Sequence, residues 1–145
     1  VVTCSFVEAV TSLWMITALG SHMTDFQDKE ADAYSGVMAL HFYSTSDVSF
    51  TAEQTITGLT PGIYEFGLYL QGGDAGDNAG MFIYADNGKE RLTEETGVSG
   101  WCNWQNPVIS DITVGEDGTL TVGVSIECAA KGWGTLDDFY LYQIR

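Results

Sequence analysis

Two of the four tryptophans sit three residues apart in Gly100-Trp101-Cys102-Asn103-Trp104-Gln105-Asn106. A third lies in Lys131-Gly132-Trp133-Gly134. A third glycine-flanked stretch, Gln71-Gly72-Gly73-Asp74-Ala75-Gly76-Asp77-Asn78, is rich in amide and carboxylate groups. These residue types fit one chemistry. The apolar C–H face of a pyranose stacks on an indole, and planar Asn, Gln and Asp groups bond its paired hydroxyls. Glycine lets the backbone approach a ligand closely. The opposing reading is that each tryptophan only lids a core, since Trp is mostly buried in proteins. Three of them in amide-rich loops favour a site. Trp14 stands inside an alternating run and reads as core.

Catalytic patterns are weak by comparison. Glycoside hydrolysis needs two carboxylates about 5–9.5 Å apart in a cleft. With 20 acidic residues a pair can always be found, and no spacing singles one out. Asp137 and Asp138 are expected on opposite faces of a strand, so they do not pair. His22 and His41 have no Ser or Cys partner in a recognisable motif. The acidic run Asp25–Asp32 reads as a solvated loop, because it lacks the glycine and closing glutamate of an EF-hand. A hard-cation site assembled from distant segments is the alternative.

The charge narrows the partners. Twenty acidic residues against five basic ones give a formal net charge of −15. Nucleic acid is excluded, because phosphate contacts need Lys and Arg. An anionic membrane is excluded on the same grounds. An acidic polymer would need a bridging cation. A neutral ligand is indifferent to the charge, and a calcium ion is favoured by it. No apolar run reaches the ~20 residues of a membrane helix. The first residues lack the basic region and apolar core of a signal peptide, so the chain reads as a module of something larger. Three cysteines, Cys4, Cys102 and Cys128, argue against a full disulfide framework. One Cys4–Cys128 pair or three buried thiols both fit.

The elements that must position these residues are strands. Residues 62–71 place Tyr64, Phe66, Leu68 and Leu70 on one face and Glu65, Gly67, Tyr69 and Gln71 on the other. Residues 118–127 and 37–44 alternate in the same way, and Phe139 and Leu141 oppose Asp138, Tyr140 and Tyr142. Further strands are expected over 2–8, 13–18, 48–57, 80–86 and 108–114, about nine in all. Turn signals such as Thr60-Pro61-Gly62 and Asp86-Asn87-Gly88 separate them. No segment carries a sustained helical period. Residues 1–145 therefore read as one all-β domain, a β-sandwich jelly roll with a single core.

Several motifs, in order, resemble one family. They are S-F-V-E, Y-S-G-V-M-A-L-H-F-Y-S, L-Q-G-G-D-A-G-D, G-W-C-N-W-Q-N-P and A-A-K-G-W-G-T-L-D-D-F-Y-L-Y. The chain is similar to the non-catalytic carbohydrate-binding modules of bacterial arabinogalactan endo-β-1,4-galactanases, like family 61 of such modules. The resemblance implies a jelly roll that binds β-1,4-galactan, the neutral side chain of pectin. It also implies a secreted or cell-surface bacterial protein, monomeric, with a catalytic domain covalently attached. Motif by motif it carries sugar binding to Gln71, Asp74, Trp101, Asn103, Trp104 and Trp133. It further implies a structural calcium held by Glu8, Asp32 and Asp138, with carbonyls near Ser35 to Val37. S-F-V-E sets Glu8 one residue away from the family's S-F-E pattern, which turns a strand residue to the other face. Another plant glycan (xyloglucan, mannan or homogalacturonan) or an adhesion module is the alternative.

Overall fold

The computed structural model describes residues 2–4, 14–18 and 23–145. The strands are β1 (Val2–Cys4), β2 (Met15–Ala18), β3 (Thr24–Asp28), β4 (Met38–Tyr43), β5 (Val48–Ile56), β6 (Gly62–Gly73), β7 (Gly80–Asp86), β8 (Arg91–Thr96), β9 (Gly100–Gln105), β10 (Val108–Val114), β11 (Leu120–Cys128) and β12 (Trp133–Gln143). A 3-10 turn, Glu30–Asp32, precedes β4. A seven-stranded sheet runs β10-β6-β12-β4-β3, with β1 added to β12 and β9 to β6. A five-stranded sheet runs β2-β5-β11-β7-β8. Every pairing is antiparallel. This is the all-β sandwich that the alternation predicts.

The two inner faces meet where the period-two pattern places them. Phe66, Leu68 and Leu70 of β6, with Leu136 and Phe139 of β12, face Val122, Val124 and Ile126 of β11. All are 2% exposed or less. Trp14 joins this core against Phe139, with ring centroids 4.4 Å apart.

β6 is the spine of the larger sheet. One edge pairs with β12 over most of its length. The other edge pairs with β10 at Gly62–Gly67 and then with β9 at Leu70 and Gly72. The chain breaks between β10 and β9 at Asn106-Pro107. Pro107 lacks an amide hydrogen for a ladder, and the Asn106 amide donates instead to the carbonyl of Leu68, at 2.8 Å.

Three strands escape the sequence reading. Residues 24–28 and 91–96 carry too few apolar positions to show alternation, yet they pair as β3 and β8. Both are edge strands, where charge guards an open ladder and little burial is required. Residues 100–105 form β9, not a free loop. A fourth correction concerns Asp137 and Asp138. The register of β12 on β6 shifts between Asp137 and Tyr140, and Asp138 adopts φ +46°. The bulge breaks the alternation, so both carboxylates meet Ser35. Cys128 is a free, buried thiol, and Cys102 is free but exposed. The Cys4–Cys128 pairing is therefore absent, and so is the alternative of three buried thiols.

Truncating the inner face should be costly. Phe66→Ala is expected to lower unfolding free energy by about 3–5 kcal/mol in urea denaturation. Met15→Ala, at a side chain 64% exposed, should stay within about 0.5 kcal/mol.

Candidate functional site

The outer face of the larger sheet is not simply solvated. Gln71, Thr135 and Asp137 all face outward by alternation, yet they are the buried polar side chains among the described residues, each 1% exposed or less. The segment from Lys29 to Val37 crosses the sheet above them as a strap. Each of the three binds it from below. The Gln71 amide and the Thr135 hydroxyl both donate to the carbonyl of Asp32, at 3.4 and 2.7 Å. The Asp137 carboxylate accepts the backbone N–H groups of Tyr34 and Ser35, at 2.9 and 3.1 Å. Burial raises the Asp137 carboxyl above its usual value, although the N–H groups of Ser35, Asp138 and Tyr34 pull it back.

Gln71 also shapes β9. Of that strand only Gln105 and Gly100 keep register on β6, opposite Leu70 and Gly72. Residues 101–104 thus stand against Gln71 alone and bulge out of the ladder. The Gln71 side-chain oxygen accepts the Cys102 N–H inside this bulge, and Cys102 takes φ +61°. This is why two tryptophans sit in a polar, broken stretch: it is a bulge that presents them. Trp101 is 60% exposed, and its indole N–H donates to Asp32 Oδ1 at 3.0 Å. Trp104 instead meets the Tyr34 ring in a T-shaped contact, 5.3 Å between centroids.

Trp133 enters from the other side of β6. Gly72 pairs with Gly100 on one side and Gly134 on the other, so Trp101 and Trp133 stand two strand spacings apart, about 10 Å. A Cβ at Gly73 would lie 3.2 Å from the Trp133 indole, a tight contact, so glycine gives the ring room to lie close across the strand. The indole N–H donates to Asp74 Oδ2 at 3.1 Å, and Asp74 itself is held at φ +54°. Each indole is thus pinned by a carboxylate at its N–H edge. Burial opposes ionisation of Asp32, but the bonds from Lys29 and Trp101 outweigh it and hold this carboxyl below its ordinary value of 3.8.

The structure therefore brings together Trp101, Trp133, Asp74 and, beneath them, Gln71. It adds Asp32, which the sequence reading assigned to a metal. Gln71 is buried and acts as a brace. Asn103 is exposed and donates to Ser99 within the bulge. The far part of the Gln71–Asn78 stretch, Asp77 and Asn78, lines a different cleft with Asp47 and Glu127. Of the implied calcium ligands, the Asp32 carboxylate accepts one bond each from Lys29 and Trp101, that of Asp138 accepts the Ser35 hydroxyl, and Glu8 lies outside the described residues. Among the described residues no three acidic, His or Cys side chains gather as metal ligands. The sequence reading missed Tyr34, Tyr69, Tyr140 and Tyr142 as a group on this face. The signal was present for three of them, because alternation already set Tyr69, Tyr140 and Tyr142 outward.

No family model and no curated protein matches the chain. Solved structures do. TmCBM61 in complex with β-1,4-galactotriose is 25% identical, with a TM-score of 0.82 over 97% of this chain and 99% of that one. The CBM22-1 xylan-binding domain of Paenibacillus barcinonensis Xyn10C reaches 0.62 at 16% identity, covering 99% and 94%. A family 35 carbohydrate-binding module from Clostridium thermocellum reaches 0.61 at 14%, covering 99% of both. The latter two share the fold alone. The chain has the β-sandwich of carbohydrate-binding modules and resembles family 61, as its motifs predict.

Two outcomes test this geometry. Gln71→Leu strands the Cys102 N–H and removes one donor to Asp32, so a loss of about 2–3 kcal/mol in stability is expected by urea denaturation. The second concerns pH. Asp32 has a lowered carboxyl, so its hold on Trp101 is complete above the ordinary value of 3.8 and is lost as pH falls through the lower folded value. The near-UV circular dichroism of Trp101 should stay constant from pH 8 to 5 and change only in acid below about pH 4. A Trp101→Phe control should lack that transition.

Proposed function

We propose that this chain is a non-catalytic module that binds neutral plant cell-wall polysaccharide, with β-1,4-galactan the leading ligand. The observation that carries the reading is the pinned pair, Trp101 and Trp133, with carboxylates at their edges. An exposed indole whose N–H is already bonded keeps a fixed ring face for the C–H surface of a pyranose. Asp32 and Asp74 retain free lone pairs for sugar hydroxyls beside each ring. Fixing the rings before binding reduces the ordering cost that limits affinity for flexible glycans. The galactan assignment is supported by the similarity to TmCBM61, whose complex contains β-1,4-galactotriose. Asn103 and Trp104 widen the proposed contact surface from the same bulge.

In this reading the module is secreted or displayed on a bacterial surface and holds an attached glycoside hydrolase close to its substrate. The net charge of −15 disfavours acidic homogalacturonan. Calcium stands apart from the reading. Completing a site takes donors from beyond the described residues, and a calcium-dependent rise in Tm after chelation would reveal one.

Isothermal titration with β-1,4-galactan, xyloglucan, galactomannan and polygalacturonate tests the proposal. Binding is expected for galactan and not for polygalacturonate. Trp101→Ala should weaken it at least tenfold with an unchanged far-UV spectrum. Binding to another neutral glycan alone would replace galactan as the ligand. Silence towards all four by a folded protein would refute the reading.

A further inference from the structure

Beyond the strap, the same sheet face carries a second aromatic surface that the tryptophan pair does not use. Tyr34 stacks on Tyr69 with ring centroids 3.8 Å apart and planes 10° apart. Tyr140 follows 6.3 Å from Tyr69, and Tyr142 lies 4.9 Å from Tyr140. These rings and Asp138 line a cleft of about 460 Å³, within the usual size range of small-ligand sites.

The cleft repeats the construction seen at Trp133. A Cβ at Gly67 would lie 2.5 Å from Cζ of Tyr140, so a missing side chain on β6 again lets an aromatic ring from β12 reach over the strand. The edge of this ring is also fixed, because the Asn106 amide donates to the Tyr140 hydroxyl at 3.2 Å. A carboxylate again stands beside it, since Asp138 lines the same cleft. Gly73 and Gly67 are six residues apart on β6, so the two ring-over-glycine positions are separated by about 20 Å along one strand pair.

The smaller sheet offers a contrast. Tyr84 reaches over Gly123 in the same fashion, but the Arg91 guanidinium sits 4.5 Å above its ring. That ring face is occupied from within. Tyr34, by comparison, is 43% exposed.

We propose that the cleft of Tyr34, Tyr140, Tyr142 and Asp138 is a second subsite for the same neutral glycan. A polysaccharide then lies along β6 and β12, gripped on both sides of the strap, and the module recognises the chain interior. This inference rests on the glycan-binding reading above and extends it.

Backbone amide shifts of the full chain, recorded during titration with β-1,4-galactotriose and with β-1,4-galactan, test the subsite directly. The polymer is expected to shift the amides of Ser35, Asn106 and Tyr140 together with those of residues 71–74 and 100–104. Isothermal titration of a Tyr140→Ala, Tyr142→Ala double variant should show polymer affinity reduced about three- to tenfold, the scale of one or two lost aromatic contacts, with galactotriose affinity unchanged. Shifts confined to the tryptophan side, or a double variant that binds polymer as tightly as the parent, would overturn the subsite and leave the glycan-binding reading intact. A parent protein that binds neither ligand would overturn both.

Discussion

A single buried carboxamide joins the three segments that form the outer face. Gln71 gives one N–H to the Asp32 carbonyl and one to Thr135, and its oxygen takes the N–H of Cys102. The strap, strand β12 and the β9 bulge therefore share one hydrogen-bonding centre in a dry setting. An amide left unpaired there loses its water and gains nothing in return. Asp32 then passes this order outward. Its carbonyl is held from beneath, and its carboxylate holds the indole of an exposed tryptophan. Orientation reaches the surface through one residue.

The second constraint is space. The outer face of β6 is glycine at positions 67 and 73, and aromatic rings from β12 lie over both. A flat ring lies this close to a strand most readily where no Cβ stands beneath it. The acidic surface works in the same direction. The carboxylates nearest the rings are engaged by indole N–H and hydroxyl donors, with Lys29 added at Asp32, which keeps their geometry defined. What the face offers is planar apolar area with acceptors at its margins.

The fold was legible because its inner faces follow the plainest rule. Leu120, Val122, Val124 and Ile126, or Tyr64 to Leu70, show the period of two without interruption. What escaped were places where that period carries no burial. Thr24–Asp28 and Arg91–Thr96 are edges, and their charges hide the strand. The bulges at Trp101–Trp104 and at Asp138 break the count itself, because each inserts residues with positive φ that no pattern of apolar spacing announces. The tryptophans of the candidate site were visible as residue types in polar stretches. The roles of Gln71 and Asp32 were not, since a strap crossing a sheet brings together residues 39 and 69 positions apart. Gln71 was taken for a surface contact. Its burial depends on what lies above it, and the alternation of its own strand cannot report that.

The β9 bulge has one more consequence. Gly100 and Gln105 alone keep register on β6, so the four residues between them contribute side chains to the surface without holding the ladder. The exposed bulge and the scaffold are mechanically separated at this point. Substitutions at Asn103 or Trp104 can redraw the contact surface while β6 stays paired to β10 and β12. Such a segment is a natural place for one scaffold to vary what it exposes.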